Sequence, residues 1–498
     1  MRKRAIGRTG PRRKGRTSGR GLSATAVIAA FAVLISTQVP AAEGRPQSTA
    51  AVDSVELAAF VDSFMTARMA SDRVPGASFV FVQNGRALVT RGYGLANVTA
   101  QRRVLPESTI WRVGSISKIF TATAMMQLVD RGAVKLDAPV DSYVRRVTIP
   151  RTYPDPVTVR QLLNHTAGFD EIRPGTQAET GAGLLPLDQF LKGRLVRVRP
   201  PGRTTAYSTY GITLAGEMIE ELSGVTFEGF LRRNIWEPLD MRRTCIDVPT
   251  ALQSDMAMGY EIRDDSLVAQ PWEWYHTAPA SSINATVADM GRFLIAHLPP
   301  ARVAGARIVS DSSLQEMHRQ QVTMHPSIPG YALGFSEDYV GSLRVLEHGG
   351  NMAGFSALMV LIPGEEAGFF IVHHFEGSRL RDDLKWLLLE RFFPSAQQRR
   401  PVPTPVPPVE EVQPERFAGR YIPLWSCFSC QPVRAGSIMT ATANADGTLT
   451  FAGGRWIAVD SLRFVRENGT GYIVFRADST GAVRELFAGG SWAWQKVQ

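Results

Sequence analysis

The feature that most constrains this chain is the run Arg400-Pro401-Val402-Pro403-Thr404-Pro405-Val406-Pro407-Pro408. Proline fixes φ and lacks an N–H, so this stretch can neither continue a helix nor donate to a sheet ladder, and it reads as a semi-rigid extended linker. Residues 397–414 therefore divide the 498-residue chain into a large segment, residues 42–396, and a small one, residues 415–498. With 44% hydrophobic and 20% charged residues, both parts have the composition of globular domains, which excludes collagen, wholesale disorder and a polytopic membrane protein. No internal repeat of fixed period appears, so a solenoid or propeller is not expected.

The formal charge of +9 suggests nucleic-acid binding until its distribution is considered. Residues 1–41 hold nine basic side chains and no acidic one, so the rest of the chain is balanced. That basic leader, the apolar run Ala24 to Ile35 and the small residues after Val39-Pro40 have the three parts of an export signal. Leu22 to Val39 is also about as long as the shortest membrane-spanning helices, so a retained N-terminal anchor is the rival reading. Either way the expected location is outside the cytoplasm, periplasmic or extracellular, with membrane contact only through this segment and no nucleic-acid partner. Three cysteines are too few for a disulfide-built scaffold. Cys427 and Cys430 suit a local disulfide, and Cys245 a buried free thiol.

Within the large segment, apolar residues at helical spacing predict helices over 55–69, 116–129, 159–164, 211–223, 227–235, 287–297 and 380–393. Runs at 77–82 and 87–89 flank Asn84-Gly85 and predict a tight hairpin; strands return at 343–346, 357–361 and 369–373. The first strand is apolar at nearly every position, which requires cover on both faces. The expected fold is α+β: an antiparallel sheet formed by early and late strands, flanked by helices, with an inserted helical lobe. Four short β-prone runs between 449 and 487 predict a small C-terminal all-β meander or barrel.

The most informative residues are Ser115-Ile116-Ser117-Lys118, set directly before a long apolar helix. Positions three apart share a helix face, so the Lys118 amine can reach the Ser115 hydroxyl and supply nucleophile and base from one turn. An amine accepts a proton near neutrality only when burial or a neighbouring cation disfavours its charged form. Two further elements follow in order: Tyr207-Ser208-Thr209 opening a helix, and His348-Gly349-Gly350-Asn351 on a strand.

These three boxes, together with Leu162-Leu163-Asn164-His165-Thr166-Ala167-Gly168 and Asn351-Met352-Ala353-Gly354-Phe355-Ser356, resemble the serine β-lactamase and penicillin-binding family. The likeness is to its branch of class C β-lactamases, D-alanyl-D-alanine carboxypeptidases and related esterases, over about residues 55–395. The resemblance implies that Ser115 attacks a carbonyl to form an acyl-enzyme, that Lys118 and Tyr207 share acid/base work, and that His348 fills the third box. It also implies an oxyanion hole from the backbone N–H groups of Ser115 and Asn351, with Gly349 and Gly350 admitting substrate to the strand. Thr209 stands where the family usually has Asn, and its single hydroxyl is expected to accept a hydrogen bond from Lys118 while contributing to substrate binding.

The expectation is a serine hydrolase acting without cofactor or metal on a small amide or ester: a D-amino-acid peptide, a β-lactam or a short acyl ester. The alternative, motivated by Thr209 and the appended β-domain, is a weak receptor that binds or slowly acylates with cell-wall peptides or β-lactams without turnover. His373 and His374 are adjacent on a strand and point to opposite faces, which argues against one shared metal ion. His165, beside Gly168, reads as structural.

Overall fold

The computed structural model describes residues 51–398, 412–430, 438–469, 471–490 and 492–497. The basic leader and the Pro-rich run lie outside these residues.

The large segment opens with α1 (Ser54–Asp72), capped by Asp53, whose carboxylate accepts the N–H groups of Val55 and Glu56. Strand β1 (Gly76–Gln83) turns at Asn84 and Gly85, both at positive φ as a two-residue hairpin of this hand requires, into β2 (Arg86–Asn97) and the short β3 (Arg102–Arg103). The chain then leaves the sheet for the helical lobe, which includes α2 (Ser117–Asp130), α3 (Thr209–Ser223) and α4 (Val287–Ala296). It returns as β4 (Ser336–Val340), β5 (Leu343–Met352), β6 (Phe355–Ile362) and β7 (Ala367–His374), and ends on α5 (Leu380–Phe392).

The seven strands form an antiparallel sheet in the order β4-β5-β6-β7-β1-β2-β3. Late strand β7 lies on early strand β1 with Phe79 opposite Ile371, so the sheet joins the two ends of the segment as the sequence pattern requires. Every residue of β1, β6 and β7 is buried because helices cover both faces. Phe79, Phe81, Phe369 and Ile371 pack with Leu57, Val61 and Met65 of α1 and Leu384 and Leu388 of α5. Val80, Val82, Phe370 and Val372 face the other way, toward Phe120 of α2 and Met290 and Phe293 of α4. Helix α2 is buried from Ser117 through Leu128, so any ionisable group on it is held away from water.

The small segment is an eight-stranded closed barrel between Gly419 and Lys496. Its first and last strands pair, with Tyr421 opposite Lys496, leaving no free edge, and Phe417, Tyr421, Phe464, Phe475 and Trp494 fill the interior. Cys427 and Cys430 form the expected disulfide, and Cys245 is a buried thiol.

Phe370 lies in a central strand with no exposed surface. Phe370→Ala is expected to destabilise the protein by about 3–5 kcal/mol, read as a lower urea midpoint at unchanged m-value.

Candidate functional site

The site forms where the first turn before α2, the start of α3 and the end of β5 converge. The helix begins at Ser117, one residue beyond the start expected from apolar spacing. Ser115 sits in a 3₁₀ turn, Gly114–Ile116, entered through Gly114 at φ +55°. This tighter turn still brings the side chains together: Lys118 Nζ donates to Ser115 Oγ at 3.0 Å and to the Ala280 carbonyl at 2.9 Å. Ser117 fastens the turn, donating to the Gly114 carbonyl at 2.7 Å and accepting the Ile283 N–H at 3.0 Å.

Tyr207 lies across this pair, with Lys118 Nζ 4.7 Å from its ring centre. Strand β5 abuts the Ser115 turn so tightly that a Cβ on Gly350 would meet the Val113 carbonyl oxygen at 2.0 Å, which explains the glycine. The Asn351 nitrogen lies 3.0 Å from where a Cβ on Gly114 would sit. The two backbone donors expected for an oxyanion thus belong to neighbouring segments. The Asn351 side chain and the Gly350 carbonyl are held by Arg381, at 2.7 Å and 3.1 Å, a brace with no local signal in the sequence.

Burial sets the protonation of these groups. Lys118 is 1% exposed, and loss of water pulls its amine down to about 7, against the opposing pull of the Glu171 carboxylate. Glu171 is itself pushed up by burial, an effect limited by Lys118. Burial, reinforced by Tyr331, raises the Tyr207 phenol well above its ordinary range, so it remains a proton donor at neutral pH. His348 is pushed down to about 3, first by burial and then by Lys118. Its Nδ1 lies 2.7 Å from the Gly349 carbonyl, which can only accept, so Nδ1 carries the proton. Nε2 is then a buried lone pair with no partner among the described residues, on a ring whose centre is 5.9 Å from that of Tyr207.

Ser115, Lys118, Tyr207, His348 and the Gly349–Asn351 strand end therefore surround one spot. Thr209 differs from expectation. Its N–H donates to Glu171 Oε1 at 2.6 Å, while the Lys118 amine turns to Ser115 and Ala280. Glu171 is the ionisable neighbour that sequence reading missed; its partners are 38 residues away and no spacing rule links them. Its one available signal was position, three residues beyond Gly168 in a segment already singled out. His165 has the structural role expected of it, with Nδ1 accepting the Ser208 N–H at 3.1 Å and its ring against Tyr207 at 4.6 Å. Among the described residues no group of three or more His, Cys, Asp or Glu side chains is placed to hold a metal, and no helix is long and apolar enough to cross a membrane.

A hydroxyl, an amine that can be neutral and a protonated phenol within contact of one another form the working set of a serine acyl-transfer centre. Comparison with known proteins gives the family: residues 61–391 match the Beta-lactamase family, and the chain belongs to it. It is 29% identical over 267 residues to "Penicillin-binding protein 4" of Amycolatopsis lactamdurans, covering 50% of this chain. The chain spans 66% of that relative's length, just under two thirds. Among solved structures, SurE superposes with a TM-score of 0.65 at 21% identity, covering 89% of this chain and 99% of that one. The octameric penicillin-binding protein homologue from Pyrococcus abyssi does so with a TM-score of 0.59 at 22% identity, covering 88% and 99%. Both likenesses are of fold.

If Lys118 is the base, the second-order rate of Ser115 labelling by a neutral fluorophosphonate rises with pH through about 7. The Glu171 carboxylate favours the ammonium, so Glu171→Gln lowers the amine's pKa and moves this limb to lower pH. A pH series of labelling rates on both proteins checks the sign.

Proposed function

We propose that this protein is a serine hydrolase that forms an acyl-enzyme at Ser115 on a small amide or ester, in the class of D-amino-acid peptides, β-lactams and short acyl esters. The observation that carries this reading is the 3.0 Å contact between Ser115 Oγ and the Nζ of a lysine that is itself buried. With the amine neutral the same contact reverses: the Ser115 proton passes to Nζ as Oγ attacks the carbonyl carbon. The N–H groups of Ser115 and Asn351 receive the developing oxyanion. Collapse expels the leaving group, which takes a proton from Tyr207 or the Lys118 ammonium, and water then releases the acyl group by the reverse sequence.

Within that substrate class the third box favours a substrate without a free carboxylate. Neutral His348 offers a lone pair where a cation would be needed to hold an anionic terminus. Work outside the cytoplasm is part of the proposal and rests on the basic and apolar leader.

A second reading, slow acylation without turnover, is supported by Thr209. Its single hydroxyl offers substrate less than the amide usual at this position.

Hydrolysis of a D-Ala-D-Ala peptide, nitrocefin and a p-nitrophenyl ester, measured side by side, is expected to show greatest turnover of the ester. Ser115→Ala is expected to abolish both turnover and fluorophosphonate labelling. An acyl adduct that persists for hours by intact-mass measurement, without product, would favour the second reading. Turnover that survives Ser115→Ala would refute the acyl-enzyme.

A further inference from the structure

Next to Glu171 stands Asp170, 1% exposed, and its carboxylate serves the C-terminal barrel. Oδ1 accepts the Phe428 N–H at 2.9 Å, while Oδ2 accepts the Ser429 N–H at 2.7 Å and the Ser429 hydroxyl at 2.6 Å. These donors lie inside the small ring closed by the Cys427–Cys430 disulfide, which holds both N–H groups toward one point. Arg199 completes the contact, its guanidinium 4.5 Å from the centre of the Phe428 ring.

The segment carrying Asp170 is also the template for Tyr207. The His165 carbonyl accepts the Ala206 N–H at 2.8 Å, and His165 Nδ1 accepts the Ser208 N–H. Glu171 accepts the Thr209 N–H, and the Ile172 carbonyl accepts the Tyr210 hydroxyl at 2.6 Å. Residues on both sides of Tyr207 are thus bonded to 165–172, and that stretch is pinned from behind by the barrel. The barrel holds the approach to Tyr207 as well: Arg476 donates to the Arg203 carbonyl at 3.1 Å and to the Thr204 hydroxyl at 2.5 Å. Ala206 packs among Leu424, Val474, Phe487 and Ala493.

We propose that Asp170 and the disulfide loop of the barrel form a clamp that positions the Tyr207 phenol over Ser115, making the barrel a working part of the acyl-transfer centre. Asp170 is a positioning residue, acting through Tyr207 without touching substrate. This inference rests on the acyl-enzyme reading above.

The test is a double-mutant cycle in the full-length protein with ester hydrolysis as readout. Asp170→Ala, and separately the Cys427→Ser/Cys430→Ser pair, is expected to lower kcat by about 10- to 100-fold with little change in KM, the size of effect that misplacing a reacting group produces. In a Tyr207→Phe background the same changes are expected to cost less than about 2-fold, because the group they position is already absent. Asp170→Asn keeps one acceptor and is expected to recover part of the loss. Equal losses in both backgrounds, or full kcat in both clamp variants, would overturn the clamp. Where circular dichroism shows Asp170→Ala unfolded, Ser429→Ala, which deletes one donor, carries the same comparison. A wild-type protein without turnover or probe labelling would sink the acyl-enzyme reading instead. The clamp is then judged from the Tyr207 phenolate titration, obtained as the absorbance difference from Tyr207→Phe. Asp170→Ala must shift that titration toward the ordinary phenol range, and an unchanged curve refutes the clamp.

Discussion

The proposed chemistry of this protein depends on keeping water from one amine. Lys118 projects from a helix buried on every side through its first three turns, and in water its amine would stay charged at neutral pH. Two acceptors, the Ser115 hydroxyl and the Ala280 carbonyl, keep it oriented. The Ala280 carbonyl is presented by a short helical turn, Ala278–Ser281, whose Pro279 carbonyl accepts the Thr121 hydroxyl one turn further along α2. Apolar burial of α2 and the poise of its base are therefore one property.

Around that amine, one environment sets two roles. Burial pushes Lys118 toward its neutral form and Tyr207 toward its protonated form, so a proton acceptor and a proton donor stand together. His348 is neutral for the same reason, and its backbone bond to Gly349 leaves the free lone pair on the inward nitrogen. Glu171 works against the trend: it stabilises the ammonium and ties down the N-terminus of α3, trading some basicity for order at the Tyr207 turn.

Much of this was legible in the sequence because much of it is local. The Ser-x-x-Lys contact lies within one turn, the Asn84-Gly85 hairpin within four residues, and the uniformly apolar first strand demanded the two helical layers that cover it. The 3₁₀ turn that carries Ser115 was not legible, because it rests on Gly114 at positive φ, which hydrophobic periodicity cannot register. Glu171 and Asp170 were invisible as partners because the groups they meet lie 38 and about 260 residues away, and a carboxylate's neighbour across such distances is set by topology. The strands of the small segment could be read from their alternation. Closure into a barrel could not, since it rests on the pairing of Tyr421 with Lys496.

The pairing of β7 with β1 has a consequence in time. The hydroxyl and amine are synthesised early, but the strand that brings His348 and Asn351 against them reaches its place only when β6 and β7 complete the sheet between β5 and β1. Long-range closure of this kind comes late in folding. A chain still emerging from the ribosome, with residue 374 not yet made, lacks the pairing that sets β5 against the Ser115 turn, so on the acyl-enzyme reading the site is assembled only with completion of the sheet.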